Sequence, residues 1–103
     1  MARRVAVVGS GQTYHTGGRS DVNGQELITE AVTRALKAAD LTIDEIDGIV
    51  IGNMDHFEGI NYVDSWSVPA NGGVMKPVIK LTTGGTTGTT LAIAGYHMVA
   101  SGM

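Results

Sequence analysis

Three short apolar runs, each bounded by glycine or polar residues, are the clearest pattern in the sequence. They are Val5–Val8, Ile49–Ile51 and Val78–Leu81. A short continuous apolar run of this kind is typical of a strand that is buried on both faces, as in a parallel sheet. We therefore predict three strands in a mainly parallel sheet.

Between the first two runs the apolar residues change to helical spacing. Polar residues fill the other face of a helix that we expect from about Gln25. Thr42 and Glu45 have the spacing of a capping box, which predicts a short helical turn through Ile46. The first strand, this helix and the second strand would form a right-handed βαβ unit. The apolar positions are Ile28, Ala31, Val32, Ala35, Leu36 and Ala39.

The segment 53–76 has no clear periodicity and carries only a weak helical pattern at 60–68. Irregular stretches of this length are uncommon inside compact domains and are often functional. We therefore treat it as a candidate functional loop that joins the second and third strands.

After the third strand, a glycine-rich turn leads into a helix that is apolar on nearly all sides. Its apolar residues include Leu91, Ala92, Ala94, Met98 and Val99. Such a helix is normally buried on more than one side. The sequence supplies nothing further to cover it, so we expect residues 1–103 to be the N-terminal fragment of a larger domain.

Composition limits the classes of function. Hydrophobic residues make up 43% of the 103 residues and charged residues 17%, which is enough apolar material for a core. The net charge is −3 and the basic residues are scattered, so a nucleic-acid partner is not expected. No apolar stretch is long enough to span a bilayer. The chain has no cysteine, which excludes disulfides, zinc–thiolate sites and a cysteine nucleophile, and a cytoplasmic location is the default expectation.

The turn Gly84–Gly88 is the first candidate site. Backbone amides at the N-terminus of a helix attract anions, but a Walker loop also needs a lysine that is not present, so nucleotide hydrolysis is not expected. The same amides can hold a carbonyl oxygen or a developing oxyanion. We therefore predict that Gly84, Gly85, Thr86 and Thr87 contact substrate. The alternative is a turn whose glycines only permit close packing.

The acidic segment after the second strand is the other candidate. Asp55 and His56 come just after the carboxyl end of a strand, where ligands collect in open α/β sheets. His56 is the predicted general acid or base, and Asp55 is predicted to line the substrate pocket. The alternative is a surface loop with solvated charges. Two or more ligands at metal-binding spacing are missing, so no metal site is predicted.

Gly9-Ser10-Gly11 is an incomplete dinucleotide fingerprint. Tyr14 stands where the third glycine belongs, and Gly52 and Asn53 stand where an acidic residue belongs. A tight turn is the favoured interpretation.

Taken together, the segments VAVVGSGQT, LITEAVTRALKAADLTIDEIDGIVIGN and VIKLTTGGTTGTTLAIAGYHMVASG resemble the amino-terminal part of the thiolase superfamily. The similarity is to the branch with sterol-carrier-type and lipid-transfer-like thiolases, and it covers essentially the whole chain. It implies a βαβαβα portion of a larger, as a rule dimeric, α/β protein that would be incomplete on its own. In thiolases the nucleophilic cysteine begins the last helix; here Gly85 takes that place.

The resemblance implies chemistry on acyl-CoA thioesters without an acyl-enzyme on cysteine. Cysteine-less relatives cleave carbon–carbon bonds by retro-aldol chemistry and often pair with a small OB-fold, zinc-ribbon protein. Coenzyme A would enter as part of the substrate, with no permanently bound cofactor. Two other hypotheses remain open at this point: a non-catalytic thiolase-like scaffold subunit in a complex, and a truncated remnant that exists only as a fragment.

Overall fold

The structure is a computed structural model that describes residues 3–55, 59 and 61–102. The fold is α/β, with a two-stranded parallel sheet and four α-helices within that part of the chain. In chain order the elements are α1 (Gly24–Ala39), a 3-10 turn (Ile43–Glu45), β1 (Ile49–Gly52), α2 (Val63–Trp66), α3 (Val68–Asn71), β2 (Val78–Leu81), a second 3-10 turn (Gly84–Thr86) and α4 (Thr87–Ala100).

Strands β1 and β2 are the second and third predicted strands, and they pair in parallel. Ile49 lies opposite Val78 and Gly52 lies opposite Leu81. The connection between them, residues 53–77, carries the short helices α2 and α3. Prediction of both strands and of their parallel direction is therefore confirmed.

The predicted first strand is not part of this sheet, so that expectation is corrected. Within the described chain, residues 5–8 have no assigned secondary structure and form no ladder with β1 or β2. Val7 is 90% exposed and Val8 65% exposed. A strand needs a partner for its backbone groups, and the described sheet pairs only β1 with β2. The predicted βαβ unit therefore lacks its first strand.

Helix α1 confirms the helical spacing and begins at Gly24, one residue before the predicted start. Asn23 caps it: its side chain accepts from the Glu26 backbone N–H at 2.8 Å, and the Glu26 side chain accepts from the Asn23 N–H. Asp40 ends the helix in the left-handed conformation, and its N–H reaches the last carbonyl groups. The Thr42–Glu45 capping box is also present, as predicted.

The crossover supplies most of the fully buried positions. Val63 is 3% exposed, Ser67 0% and Asn71 3%. The Asn71 amide donates to Ser67 Oγ at 3.1 Å, and its oxygen accepts from the Gly73 N–H at 2.8 Å. Sequence periodicity did not show this organisation because each helix contains only four residues. The weak pattern at 60–68 corresponds to α2 and the start of α3.

Helix α4 packs on β1 and leaves an apolar face open. At one end Leu91 lies over Gly52; at the other, Ala100 is buried. Ile93, Tyr96 and Val99 are about half exposed in the described structure. The apolar face of this helix is therefore incompletely buried in the described structure, as the sequence predicted. Within residues 3–55, 59 and 61–102 no helix has the length and apolar character needed to cross a bilayer.

Candidate functional site

The candidate site lies where β1 and β2 end side by side. Because the strands are parallel, the residues after Gly52 and after Leu81 emerge at the same edge of the sheet. The two segments are joined there, since Thr82 Oγ1 donates to the Asn53 carbonyl at 2.9 Å. This geometry brings the residues just after β1 and the start of the glycine turn to the same edge of the sheet.

Asp55 is held by three donors from different parts of the chain. Its Oδ1 accepts from the Asn53 side-chain amide at 3.2 Å, and its Oδ2 accepts from the Tyr62 backbone N–H at 3.0 Å. Lys80 Nζ, from β2, forms a salt bridge with the same Oδ2. The Asp55 side chain is 11% exposed and that of Lys80 25% exposed. Asp55 therefore links β2 to both ends of the segment that follows β1.

These contacts determine the charge of the site. The hydrogen bond from Lys80 holds the pKa of the Asp55 carboxyl below its usual range, and the N–H of Tyr62 acts in the same direction, against the opposing effect of burial. Asp55 is therefore ionised near neutral pH. An ionised carboxylate whose oxygens are already hydrogen-bonded is suited to positioning a segment and does not donate a proton.

The salt bridge between Asp55 and Lys80 predicts that the free energy of unfolding depends on pH. A carboxyl whose pKa is lowered by folding contributes stability above its unfolded pKa of about 3.8, and this contribution is lost as the pH falls through the lower folded value. The free energy of unfolding can be measured by urea unfolding at a series of pH values. We expect it to decrease less steeply at acidic pH in Asp55→Asn than in the unmodified protein. Lys80→Met should have a similar effect, because it removes the largest cause of the shift. An unchanged acid-side slope in Asp55→Asn would contradict this assignment.

The glycine turn is built by threonine side chains. Thr87 Oγ1 accepts from the Thr83 N–H at 3.0 Å and donates to the Gly84 carbonyl at 3.3 Å. The Thr83 hydroxyl lies 3.0 Å from that of Thr86 and 2.8 Å from that of Thr90. The hydroxyls of Thr86 and Thr87, predicted to contact substrate, are thus engaged within the turn itself.

The space around the turn distinguishes its two interpretations. A Cβ added to Gly84 or Gly85 would meet no other atom within 4 Å, so close packing does not require glycine there. Gly84 has φ +47°, a conformation that favours glycine on backbone grounds alone. Neither N–H has a hydrogen-bond acceptor among the described residues. Gly85 is exposed in the 3-10 turn that precedes α4, and its surroundings leave room for a bound group.

Lys80, Asn53, Thr83 and Thr90 are the site residues that sequence reasoning missed. Lys80 is the sole charged residue in an otherwise apolar strand, and that was the available signal. Its partner Asp55 is 25 positions away, so the pairing depends on the register of β1 and β2.

The predicted catalytic residue, His56, lies outside the described residues, and its role stays a prediction. Within the described part of the chain, no group of three or more histidine, cysteine or acidic side chains is arranged to hold a metal ion.

Comparison of the chain with protein-family models and with curated protein sequences finds no match.

Proposed function

We propose that this chain forms part of a thiolase-like enzyme that acts on acyl-CoA thioesters without a cysteine nucleophile. The reaction would break or form a carbon–carbon bond, by retro-aldol cleavage or acyl transfer, and the chain would supply the amino-terminal βαβαβα portion. The observation that carries the proposal is the open glycine turn: two N–H groups without described acceptors, with free space around them, at the edge where the strands end.

The chemistry proposed for the turn is stabilisation of negative charge on oxygen. The thioester carbonyl oxygen would accept from the N–H groups of Gly84 and Gly85, where the positive end of the α4 dipole adds to the attraction. Glycine at position 85 has no side chain to acylate. The turn can therefore bind and polarise a thioester but cannot form a covalent intermediate at that position.

In a retro-aldol reaction a β-hydroxyacyl thioester loses its hydroxyl proton to a base as the bond between Cα and Cβ breaks. The electron pair of that bond passes to the thioester, forming an enolate whose oxygen is held at the turn, and an aldehyde or ketone leaves from the Cβ side. The enolate then takes a proton at Cα. We assign the proton transfers to His56, next to Asp55 in the sequence. Asp55 stays ionised and fixes the segment on which this histidine is carried.

A second candidate function is a non-catalytic thiolase-like subunit that binds a partner. The open face of α4, with Ile93, Tyr96 and Val99 about half exposed, favours it because such clusters mark interaction surfaces. A second copy of the chain, further thiolase-like sequence or a small OB-fold zinc-ribbon protein would be the partner. The two functions differ in whether bound thioester is converted.

The proposal is tested by assaying the native assembly that contains this chain. The substrates are β-hydroxyacyl-CoA and β-ketoacyl-CoA, and their turnover is measured. We expect one of the two substrate classes to be converted. His56→Ala should abolish conversion while thioester binding persists, and His15→Ala, in an exposed polar loop, should leave the rate unchanged. Thioester binding without conversion of either class would favour the scaffold function. Failure to bind either class would contradict the enzymatic proposal, and failure to form a complex as well would contradict the scaffold function.

A further inference from the structure

Tyr62 has a backbone conformation that residues with a large side chain rarely adopt. Its φ is +62° and its ψ +51°, in the left-handed region, at the residue that precedes α2. This region brings Cβ close to the following carbonyl oxygen, so glycine, asparagine and aspartate are its usual occupants. Any of these three would adopt the same backbone at a lower cost than tyrosine. The backbone therefore does not explain why a tyrosine stands here.

Hydrogen bonds on both sides of Tyr62 hold this conformation. Its N–H donates to Asp55 Oδ2 at 3.0 Å. Its carbonyl oxygen accepts from the Ser65 N–H at 2.8 Å and from the Trp66 N–H at 3.3 Å. The next residue, Val63, is 3% exposed and anchors the chain in the core. A strained backbone persists where its surroundings determine it in this way, and such residues cluster at active sites and ligand contacts.

The ring of Tyr62 contributes little to the interior of the protein, because the residue is 71% exposed. A tyrosine side chain has only two torsion angles, so it offers a large contact area at a low cost in conformational entropy. Its ring is apolar and its hydroxyl is polar, which suits contact with a ligand at the border between protein and water. The fixed backbone and the exposed ring together are typical of a residue that contacts a ligand.

Asp55 connects Tyr62 to the candidate site. The carboxylate that accepts from the Tyr62 N–H is also paired with Lys80 of β2. Asp55 itself comes three residues after Gly52, the last residue of β1. The segment 53–62 therefore leaves the end of β1 and returns, at Tyr62, to a carboxylate close to that end. The tyrosine lies one hydrogen bond from the residue that we predict to line the substrate pocket.

The charges around Tyr62 indicate which part of a CoA thioester it contacts. Residues 53–75 contain three acidic residues and no lysine or arginine. The positive charge of Lys80 is already paired with Asp55. Asp64, in the first turn of α2, would repel the phosphate groups of the nucleotide portion. The acyl group is uncharged and apolar, so it is the portion that an exposed aromatic ring in this setting favours.

We propose that Tyr62 contacts the acyl group of the thioester and determines the preference for acyl chain length. The ring would pack against the acyl chain while the thioester carbonyl oxygen accepts hydrogen bonds at the glycine turn. Each methylene group buried in this way raises affinity by about fourfold. This inference rests on the proposed function, because the thioester is the ligand.

The test compares the Kd values of free CoA, acetoacetyl-CoA and 3-oxohexanoyl-CoA. In the unmodified protein the longer thioester should bind more tightly than the shorter one. Tyr62→Ala should weaken binding of 3-oxohexanoyl-CoA by about tenfold, since the apolar contact is lost, and should change the Kd of free CoA by less than about twofold. Tyr62→Phe keeps the ring and should keep all three Kd values within about twofold of the unmodified protein.

Met75→Ala is the matched control. Met75 also has a positive φ, of +63°, and is 97% exposed, but it precedes β2 and so lies towards the opposite edge of the sheet. This variant should leave all three Kd values unchanged.

Three outcomes would overturn the role of Tyr62. If Tyr62→Ala binds 3-oxohexanoyl-CoA as tightly as the unmodified protein does, the ring does not contact the acyl group, and the proposed function stands without it. If Tyr62→Ala weakens free CoA as much as the thioesters, the residue acts through the nucleotide portion or through the fold. If the unmodified protein binds neither thioester, the proposed function fails, and the role of Tyr62 fails with it.

Discussion

Gly52→Ala is expected to destabilise the protein by about 2 to 3 kcal/mol. A Cβ at this position would stand 2.5 Å from the Thr87 methyl group, 2.9 Å from the Leu81 carbonyl oxygen and 3.0 Å from Leu91. The carbonyl belongs to the paired strand β2 and cannot move by itself. The added methyl group must therefore push α4 away from β1, which also displaces the glycine turn from the sheet edge.

The matched control for this substitution is Gly95→Ala. Gly95 lies within α4, and a Cβ there would meet nothing within 4 Å. Alanine is favoured over glycine in a helix, so this variant should be more stable by about 1 kcal/mol. Urea unfolding of both variants measures the difference. A Gly52→Ala protein as stable as the unmodified chain would show that α4 does not pack on β1 as described.

Asn71→Ala is expected to destabilise the protein by about 2 to 3 kcal/mol. Asn71 is 3% exposed, and its amide group bonds the buried Gly73 N–H and the Ser67 hydroxyl. Alanine can form neither hydrogen bond, so the buried Gly73 N–H loses its acceptor. Because this contact joins α3 to the chain leading into β2, the variant should also weaken the sheet.

The control is Asn61→Ala, which makes the same change at an exposed asparagine in the same connection. A surface substitution of this type should change the unfolding free energy by no more than about 0.5 kcal/mol. Thermal and urea unfolding compare the two. If both variants lose equal stability, the Ser67–Asn71 contact is not a source of stability.

Elements whose signals are local were predictable from the sequence. Helix α1 has an apolar stripe, and the 3-10 turn after it begins with the Thr42–Glu45 capping box, so each signal lies within a few residues of the structure it specifies. Strands β1 and β2 are short apolar runs ended by glycine or threonine. The start of α4 follows from the glycine-rich turn before it.

Features that depend on distant neighbours were not predictable in the same way. Val5–Val8 has the composition of a buried strand, but composition does not provide the partner strand, and the segment lies outside the sheet. The salt bridge between Asp55 and Lys80 requires the β1–β2 register. Helices α2 and α3 are too short to show a helical periodicity of apolar residues. Their positions depend on how their buried side chains pack.

For the candidate site, the sequence indicated the strand ends that carry it but not the hydrogen bonds between its side chains. The ends of β1 and β2 lie at one edge of the sheet, where Thr82 bonds Asn53, and the roles of Asp55 and of the glycine turn stay predictions. The partners of Asp55 and the use of Thr86 and Thr87 hydroxyls inside the turn depend on side-chain geometry. No sequence spacing specifies these.

Binding of a CoA thioester at the open glycine turn is tested most directly by titrating acetoacetyl-CoA into the unmodified chain, Gly85→Leu and Gly17→Leu. Both glycines have empty space where a side chain would begin, so neither substitution should alter the fold, and only the first fills the turn. We expect the unmodified and Gly17→Leu proteins to have the same Kd, with shifts of the Gly84 and Gly85 amide resonances, and Gly85→Leu to bind at least about tenfold more weakly. Equal affinity in all three proteins, or no binding by the unmodified chain, would contradict the assignment of this turn as the thioester site.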